Sequence, residues 1–386
     1  MDFLLTDEQK KLRAQTRKIA LEKILHKREY FDETEEFPWK IVKELASAGL
    51  FEVYIPAELG GKGGGVTELV VVAEELSRVC GGIALSFAGT ALGTYPILLF
   101  GNDEQKKKYL PLIAKGERLA AFGLTEPNAG SDASSIQTQA KKVAGGYLLN
   151  GTKQWITNGG EAEVYTIVAV TDKSKGARGA SAFIVEKGYE GFSFGKKEKK
   201  MGIRASATRE LNFADCFVPE ENLLGKEGYG FIVAMRTFDK TRPGVAAQAL
   251  GIAQGALDEA LAYSRKREQF GQPISSFEDI QFKLADMATQ VEAARALVYS
   301  VALLIDSGAE KVSKESSMAK IFASDTAVKV TSLAVQIFGG YGYLRNYPVE
   351  KMMRDAKITQ IYEGTNEIQR GIIALNLIKE IVSKKQ

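Results

Sequence analysis

The chain has 386 residues, 51 Lys and Arg against 48 Asp and Glu, and a formal net charge of +3. That length allows two or three domains, and so even a balance of charge gives no broad basic field for nucleic acid. A single histidine, His26, excludes a Ser-His-Asp triad, an HExxH zinc site or a facial triad unless that one imidazole is spent, and two distant cysteines, Cys80 and Cys216, build neither a disulfide framework nor a thiolate metal site.

Residues 1–118 read as an N-terminal helical domain. The acidic start Met1–Glu8 lacks the cationic and apolar regions of a targeting signal. With no run of ~18 apolar residues, no membrane-spanning helix is expected, and a reducing, cytoplasm-like compartment is the default. Thr6 and Gln9 form a capping box ahead of a stripe through Leu12, Ile19 and Ile24, and His26, among charged neighbours, should face water. After the break at Phe37-Pro38 a helix runs through Ile41, Val42, Leu45 and Ala48 to Gly49. Gly60–Gly65 has no strand before it and no Lys-Ser/Thr after it, so it reads as a turn and not a phosphate loop. Helices follow over Val66–Cys80, Ile83–Phe100 and Asp103–Pro111.

Residues 119–228 change to strand-like alternation and predict a central β domain, a small barrel or sandwich. Val164–Val170, Ser181–Val185 and Glu210–Phe213 are its clearest strands. Asn150-Gly151 predicts a hairpin turn, and the basic run Lys196–Lys200 a solvated loop. Residues 229–386 return to long helices, Pro243–Glu268, Phe277–Ser307, Ser313–Phe338, Pro348–Tyr362 and Asn366–Ser383, joined as an antiparallel bundle. The fold class is α+β multidomain, in the order α, β, α.

Four segments can carry chemistry, since no GxGxxG after a strand, no GxxxxGK[ST] and no GxSxG is present. Phe122–Asp132 supplies small residues and the hydroxyls of Thr125 and Ser131, and serves equally as a surface loop or a ligand cradle. Gln154–Gly160 carries Trp155, which reads as a core residue, the alternative being a ring stacked on a flat cofactor. Phe238–Pro243 places Asp239 and Arg242 at the start of the longest helix, as capping residues or as anchors for a polar ligand. Gln360–Arg370 puts Glu363 at a helix junction, with Gly364 as the stop and Asn366 and Gln369 as the next capping box. There Glu363 reads as an exposed helix-end carboxylate, or as a general base if the cleft is apolar.

Taken together, these segments resemble the acyl-CoA dehydrogenases, over nearly the whole chain. The motifs are Asn102–Pro111, Leu124–Pro127 with Gly130–Asp132, Trp155–Asn158, Arg267–Gly271, Gln336–Gly342, Tyr347–Lys351 with Arg354–Lys357, and Ile361–Thr365. The resemblance implies FAD as cofactor and conversion of an acyl-CoA to a trans-2-enoyl-CoA. It implies that Glu363 removes the α-proton while the β-hydrogen leaves as hydride to flavin N5. It also implies that the Glu363 N–H, with a flavin ribityl hydroxyl, binds the thioester carbonyl. Phe122, Leu124, Thr125, Ser131, Trp155, Ile156 and Thr157 match positions lining FAD. Arg267, Phe270, Gln336, Gly339 and Gly340 match contacts to FAD across a subunit boundary, and Thr365, Asn366 and Glu367 match the segment beside its adenosine. Ser131, Asp239, Arg242 and Gly364 match substrate-side positions.

One cofactor position departs from the family pattern: Glu278 stands where Gln is usual. Some branches place the base near Arg242, where this chain has Thr241, so no second carboxylate competes with Glu363. The glutaryl-CoA branch places an Arg near Ala84; none occurs in Ile83–Pro96, which argues for a short- to medium-chain monocarboxylic acyl group closed off by Ala88–Tyr95. The resemblance further implies a homotetramer and an electron-transfer flavoprotein as partner. Rival readings are an enoyl-CoA reductase subunit of a flavoprotein complex, a catalytically silent scaffold of the same fold, and an oxidase using dioxygen.

Overall fold

The computed structural model describes residues 4–383, so the first three residues of the acidic N-terminal stretch lie outside the described residues. The Thr6–Gln9 capping box forms as expected and starts α1 (Asp7–Ile19). The chain continues through a π turn at Ala20–Ile24 into α2 (Arg28–Thr34), and His26 is exposed. Helix α3 (Trp39–Ser47) buries Ile41, Val42 and Leu45. The glycine loop delivers the chain to α4 (Val66–Ser77), whose N-terminus is taken by a protein carboxylate: Asp306 accepts from the Val66 and Thr67 N–H groups at 2.8 and 2.7 Å. Then come α5 (Gly81–Phe100) and α6 (Asp103–Ala114), which runs through Pro111 instead of stopping there.

The β domain comprises β1 (Ala120–Gly123), β2 (Gln139–Val143), β3 (Gly146–Thr157), β4 (Val164–Val170), β5 (Ala180–Glu186), β6 (Phe192–Lys197), β7 (Thr208–Pro219) and β8 (Leu223–Leu224). They form one eight-stranded sheet ordered β6-β7-β3-β2-β4-β5-β8, with β1 parallel to β4. The hairpin expected at Asn150-Gly151 is absent. Strand β3 passes straight through, and the turn lies at Ala144-Gly145 between β2 and β3. Asn150-Gly151 marks a bulge against β7, where Asn150 and Asp215 exchange two hydrogen bonds of 2.9 Å. The Lys196–Lys200 run is only partly solvated, because Lys200 Nζ donates to Ser206 O at 2.7 Å.

Helix α7 (Gly230–Lys266) spans 37 residues and passes through Pro243, so the expected start there is wrong. Pro243 has no N–H to give the carbonyl four residues back, and Asp239 O accepts the Ser316 hydroxyl instead, at 2.8 Å. Thirteen residues therefore precede Pro243 in the helix, and Asp239 and Arg242 sit mid-helix, not at an N-terminus. A short hairpin, β9 (Glu268–Gln269) and β10 (Gln272–Pro273), leads to α8 (Glu278–Asp306), α9 (Ser313–Phe338), α10 (Pro348–Ile358) and α11 (Asn366–Ser383). Helix α9 packs on α7, α8, α10 and α11, while α7 also contacts α4, α5 and β5 and so ties the three regions together.

The expectation of no membrane-length helix is also corrected. Gly81–Phe100, Glu278–Asp306 and Ser313–Tyr343 are long and apolar enough by composition. Sequence inspection missed them because small and hydroxylic residues interrupt each apolar run. Most of the α5 window is buried inside the fold.

Candidate active site

Glu363 lies in the turn between α10 and α11, at φ 49°, followed by Gly364 at φ 90°. A non-glycine residue in the left-handed region costs about 1 kcal/mol and persists only where neighbours hold it. Side chains from α7, α9 and α11 do so. Arg242 Nε donates to Glu363 O at 3.3 Å, and Gln369 Nε2 donates to Glu363 O and Gly364 O at 2.9 and 3.0 Å. Lys320 Nζ donates to Gly364 O and Asn366 Oδ1, both at 2.9 Å. On the other side Tyr362 donates its hydroxyl to Gln248, which donates to Gly81 O at 3.0 Å.

The Glu363 side chain is half-buried, not exposed, and its Oε2 accepts the Thr241 hydroxyl at 2.8 Å. Burial pushes its carboxyl up to about 7, with Thr241, Arg242 and Lys320 pulling the other way. A carboxylate poised near neutrality is what proton abstraction at physiological pH requires. Lys320, fully buried, is drawn down to about 7 by burial, with Glu363 opposing. Arg242 is 4% exposed and sits 3.6 Å from Asp239, whose carboxyl burial raises against Ser313 and Arg242.

The β domain supplies a second wall. Lys153 is fully buried and donates to Leu124 O at 3.0 Å and to Glu126 Oε1 at 2.6 Å. Glu126 also accepts from the Gln137 and Thr138 N–H groups at 2.6 and 2.9 Å. Burial works against its ionisation, but Lys153 and these donors outweigh it and hold the carboxyl below its ordinary value. This pair locks Leu124 and Thr125 beside β3, where Gln154 N donates to Thr125 O at 2.8 Å. Phe122 and Leu124 are buried, as is Ile156; Thr125 and Thr157 are half-buried and Ser131 is exposed. Trp155 is 55% exposed at φ 61°, which corrects its reading as a core residue. The walls meet through Phe122 and Phe238, edge to face at 5.6 Å, with the Arg242 guanidinium 5.5 Å over the Phe238 ring.

The remaining expected cofactor residues form a separate cluster. Arg267 lies 5.4 Å over the Tyr341 ring, and with Gly339, Gly340 and Phe338 it lines an open cleft of about 380 Å³. Phe270, 93% exposed, stands on the β9–β10 turn beside it. Gln336 is sixteen residues beyond Lys320 on α9, about 24 Å along the helix, so one chain does not bring both clusters to one point. Glu278 is exposed in the first turn of α8. The expected capping box shifts by one residue: Thr365 Oγ1 accepts from Ile368 N at 3.3 Å. Asn366 is buried and bonds Lys320, Ser324 and Asp325; Glu367 is exposed. Sequence reasoning missed Lys320, Lys153, Glu126 and Gln248, because nothing local marks a lysine or a glutamine as buried.

A flat, polar-tailed cofactor such as FAD fits these walls. The hydroxyls of Thr125, Ser131 and Thr157 have no hydrogen-bond partner among the described residues, and Trp155 presents an exposed ring beside them. At the second cluster, a Cβ added at Gly339 or Gly340 would meet open space, leaving backbone free for close approach.

Family models for the acyl-CoA dehydrogenase N-terminal, middle and C-terminal domains match residues 6–117, 121–216 and 228–378. The short-chain-specific acyl-CoA dehydrogenase of Clostridium acetobutylicum is 50% identical, over 97% of this chain and 99% of its own length. The NADH-linked acryloyl-CoA reductase of Anaerotignum propionicum is also 50% identical, over 98% and 96%. Butyryl-CoA dehydrogenase from Megasphaera elsdenii superposes with a TM-score of 0.95 at 48% identity, covering 98% of this chain and 100% of the other. A chain in the structure described as electron transferring flavoprotein of Acidaminococcus fermentans gives 0.96 at 51%, covering 98% and 99%. With all three domain models matched in order and half of the residues shared along almost the full length, the chain belongs to the acyl-CoA dehydrogenase family.

Proposed function

We propose that the protein is a FAD-dependent acyl-CoA dehydrogenase that converts a short- to medium-chain acyl-CoA to the trans-2-enoyl-CoA, with Glu363 as the base. The observation that carries the reading is the half-buried Glu363 carboxyl, raised to about 7 and held on a turn that Arg242, Lys320, Gln369 and the Tyr362–Gln248 pair fix. Glu363 takes the α-proton onto a carboxylate oxygen. Its main-chain N–H, which has no acceptor among the described residues, is available to the thioester carbonyl, where it stabilises developing enolate charge. Bound FAD would supply the two-electron acceptor for the β-hydride. Phe122, Leu124, Thr125, Ser131, Trp155, Ile156 and Thr157 would hold it from the β side, with Thr365, Asn366 and Glu367 toward its far end. Arg267, Phe270, Gln336, Gly339 and Gly340 would serve the cofactor of a second protomer, since Gln336 and the two glycines at the end of α9, with Arg267 beside them, stand apart from the Glu363 turn. Ser131, Asp239, Arg242 and Gly364 would line the acyl-CoA path.

The short end of the chain-length range is supported by the relatives and by the crowded aromatic group Tyr54, Phe87 and Tyr95 on and beside α5. A homotetramer is supported by the exposed Leu375, Ile378 and Ile381 on α11 and by Phe270. Electrons would pass to an electron-transfer flavoprotein, in keeping with the assembly named for the Acidaminococcus neighbour. Buried free Cys80 and Cys216 suit a reducing, cytoplasm-like compartment. The acryloyl-CoA relative favours one second reading, net enoyl-CoA reduction at the same site.

Anaerobic mixing with butyryl-CoA tests the proposal. Glu363→Gln should retain FAD yet lose flavin bleaching by about a thousandfold or more. Near-normal bleaching would reject Glu363 as base. NADH-dependent reduction of crotonyl-CoA by the protein with its flavoprotein partner would assign the reductive direction.

A further inference from the structure

The two oxygens of the Glu363 carboxylate are not equivalent. Oε2 accepts the Thr241 hydroxyl at 2.8 Å, whereas Oε1 takes no hydrogen bond among the described residues. Thr241 is 4% exposed and sits on α7. Two residues on, Pro243 interrupts the helical ladder, and the freed Asp239 carbonyl is retied by Ser316. A β-branched side chain on a helix has few rotamers, and the one adopted here sets the hydroxyl within reach of Glu363 Oε2. It also lies 3.1 Å from Thr237 O, but one hydrogen serves one acceptor, and an ionised carboxylate at the shorter distance outcompetes a helix carbonyl.

The charged groups around Glu363 leave Thr241 this role to itself. On α7, Arg242 gives its Nε to the Glu363 main-chain carbonyl, and Asp239 is engaged with Arg242 and Ser313. On α9, Lys320 is spent on Gly364 O and Asn366, and Asp325 on Gln360, Asn366 and Arg370. Tyr362 points its hydroxyl at Gln248, and Glu367 is exposed on α11. Thr241 is the one side chain that donates directly to the Glu363 carboxylate among the described residues.

We propose that Thr241 is a positioning residue for the α-proton transfer, pinning Oε2 so that Oε1 is the oxygen that receives the proton. The inference rests on Glu363 being the base. In the transfer the α-carbon C–H bond breaks and an O–H bond forms at Oε1. The electron pair left on carbon becomes the new double bond as the β-hydride departs to the acceptor. Thr241 makes and breaks no covalent bond.

The test is the pH profile of anaerobic flavin reduction by butyryl-CoA in the FAD-loaded protein, with α-hydrogen exchange into deuterated water as a second readout. Thr241→Val keeps the shape and removes the donor. Losing a donor to the charged form makes Glu363 harder to ionise, so the midpoint should rise by about one pH unit. The high-pH plateau should fall about tenfold as the freed carboxylate rotates out of line. Thr241→Ser should restore both, and Thr241→Ala carries the same expectation as valine should the valine variant lose flavin. An unmoved midpoint in the valine and alanine variants, with or without a lower plateau, overturns the proposal provided Glu363→Gln is inactive. An active Glu363→Gln would overturn the base reading instead.

Discussion

Two buried lysines hold the two walls of the site, and they do so by different electrostatics. Lys153 in the β domain closes on a carboxylate, Glu126, at 2.6 Å, and that carboxylate is further satisfied by two main-chain N–H groups. Lys320 in the helical region closes only on neutral acceptors, Gly364 O and Asn366 Oδ1. Its charge is balanced at longer range by Glu363, with Asp325 and Glu367 contributing. The β wall is therefore electrically complete before any ligand arrives. The helical wall has no such contact pair, and the first charge to balance Lys320 is that of Glu363, the proposed base. A structural pair can be neutralised locally because nothing has to change there, whereas a base must be free to give up its charge.

Breaking the β pair should cost most. Lys153→Met leaves Glu126 buried and unpaired, a loss of about 3–5 kcal/mol in denaturant unfolding, and adding Glu126→Gln should recover a large part of it. If the double variant is no more stable than the single one, Lys153 and Glu126 do not act as a unit.

Lys320→Met removes two hydrogen bonds but strands no carboxylate in direct contact, so the loss should be smaller, about 2 kcal/mol. The Glu363 turn should loosen with it, seen as faster amide exchange at Gly364 and Thr365. A loss as large as that at Lys153 would erase the distinction between the walls.

The smallest effect sharpens the contrast by pH. Glu363 is raised from 4.5 to about 7 in the folded protein, so between those values the folded state binds more protons than the unfolded one. Stability contributed by this group is present below pH 4.5 and lost as pH rises through 7. Glu363→Gln should therefore gain stability relative to the parent at pH 8, by about 1–2 kcal/mol, and gain little at pH 4.5. Equal differences at both pH values would mean that the carboxyl is not destabilised by burial.

Much of this is legible in the chain alone. The Thr6–Gln9 cap, the strand at Val164–Val170, the helix Ser313–Phe338 and the α, β, α order all follow from local signals, because capping and periodicity act over a few residues. Two strong local signals misled. Asn150-Gly151 looked like a turn, but pairing with Asp215 on β7 made it a bulge. Pro243 looked like a helix start, but Ser316 satisfied the carbonyl it orphaned and let the helix run on. In both, a distant partner supplied the hydrogen bond that the local rule assumed absent.

The sequence by itself determined the family, the domain order and the candidate base, because these rest on residue identity and spacing along the chain. Only the tertiary structure decided that Glu363 is half-buried, that Thr241 reaches one of its oxygens, and that Lys320 and Lys153 lie inside. It also decided that the cluster of Arg267, Gly339 and Gly340 stands apart from the Glu363 turn. Burial, long-range hydrogen bonds and desolvation arise from elements far apart in sequence meeting in space, and no window of neighbouring residues contains them.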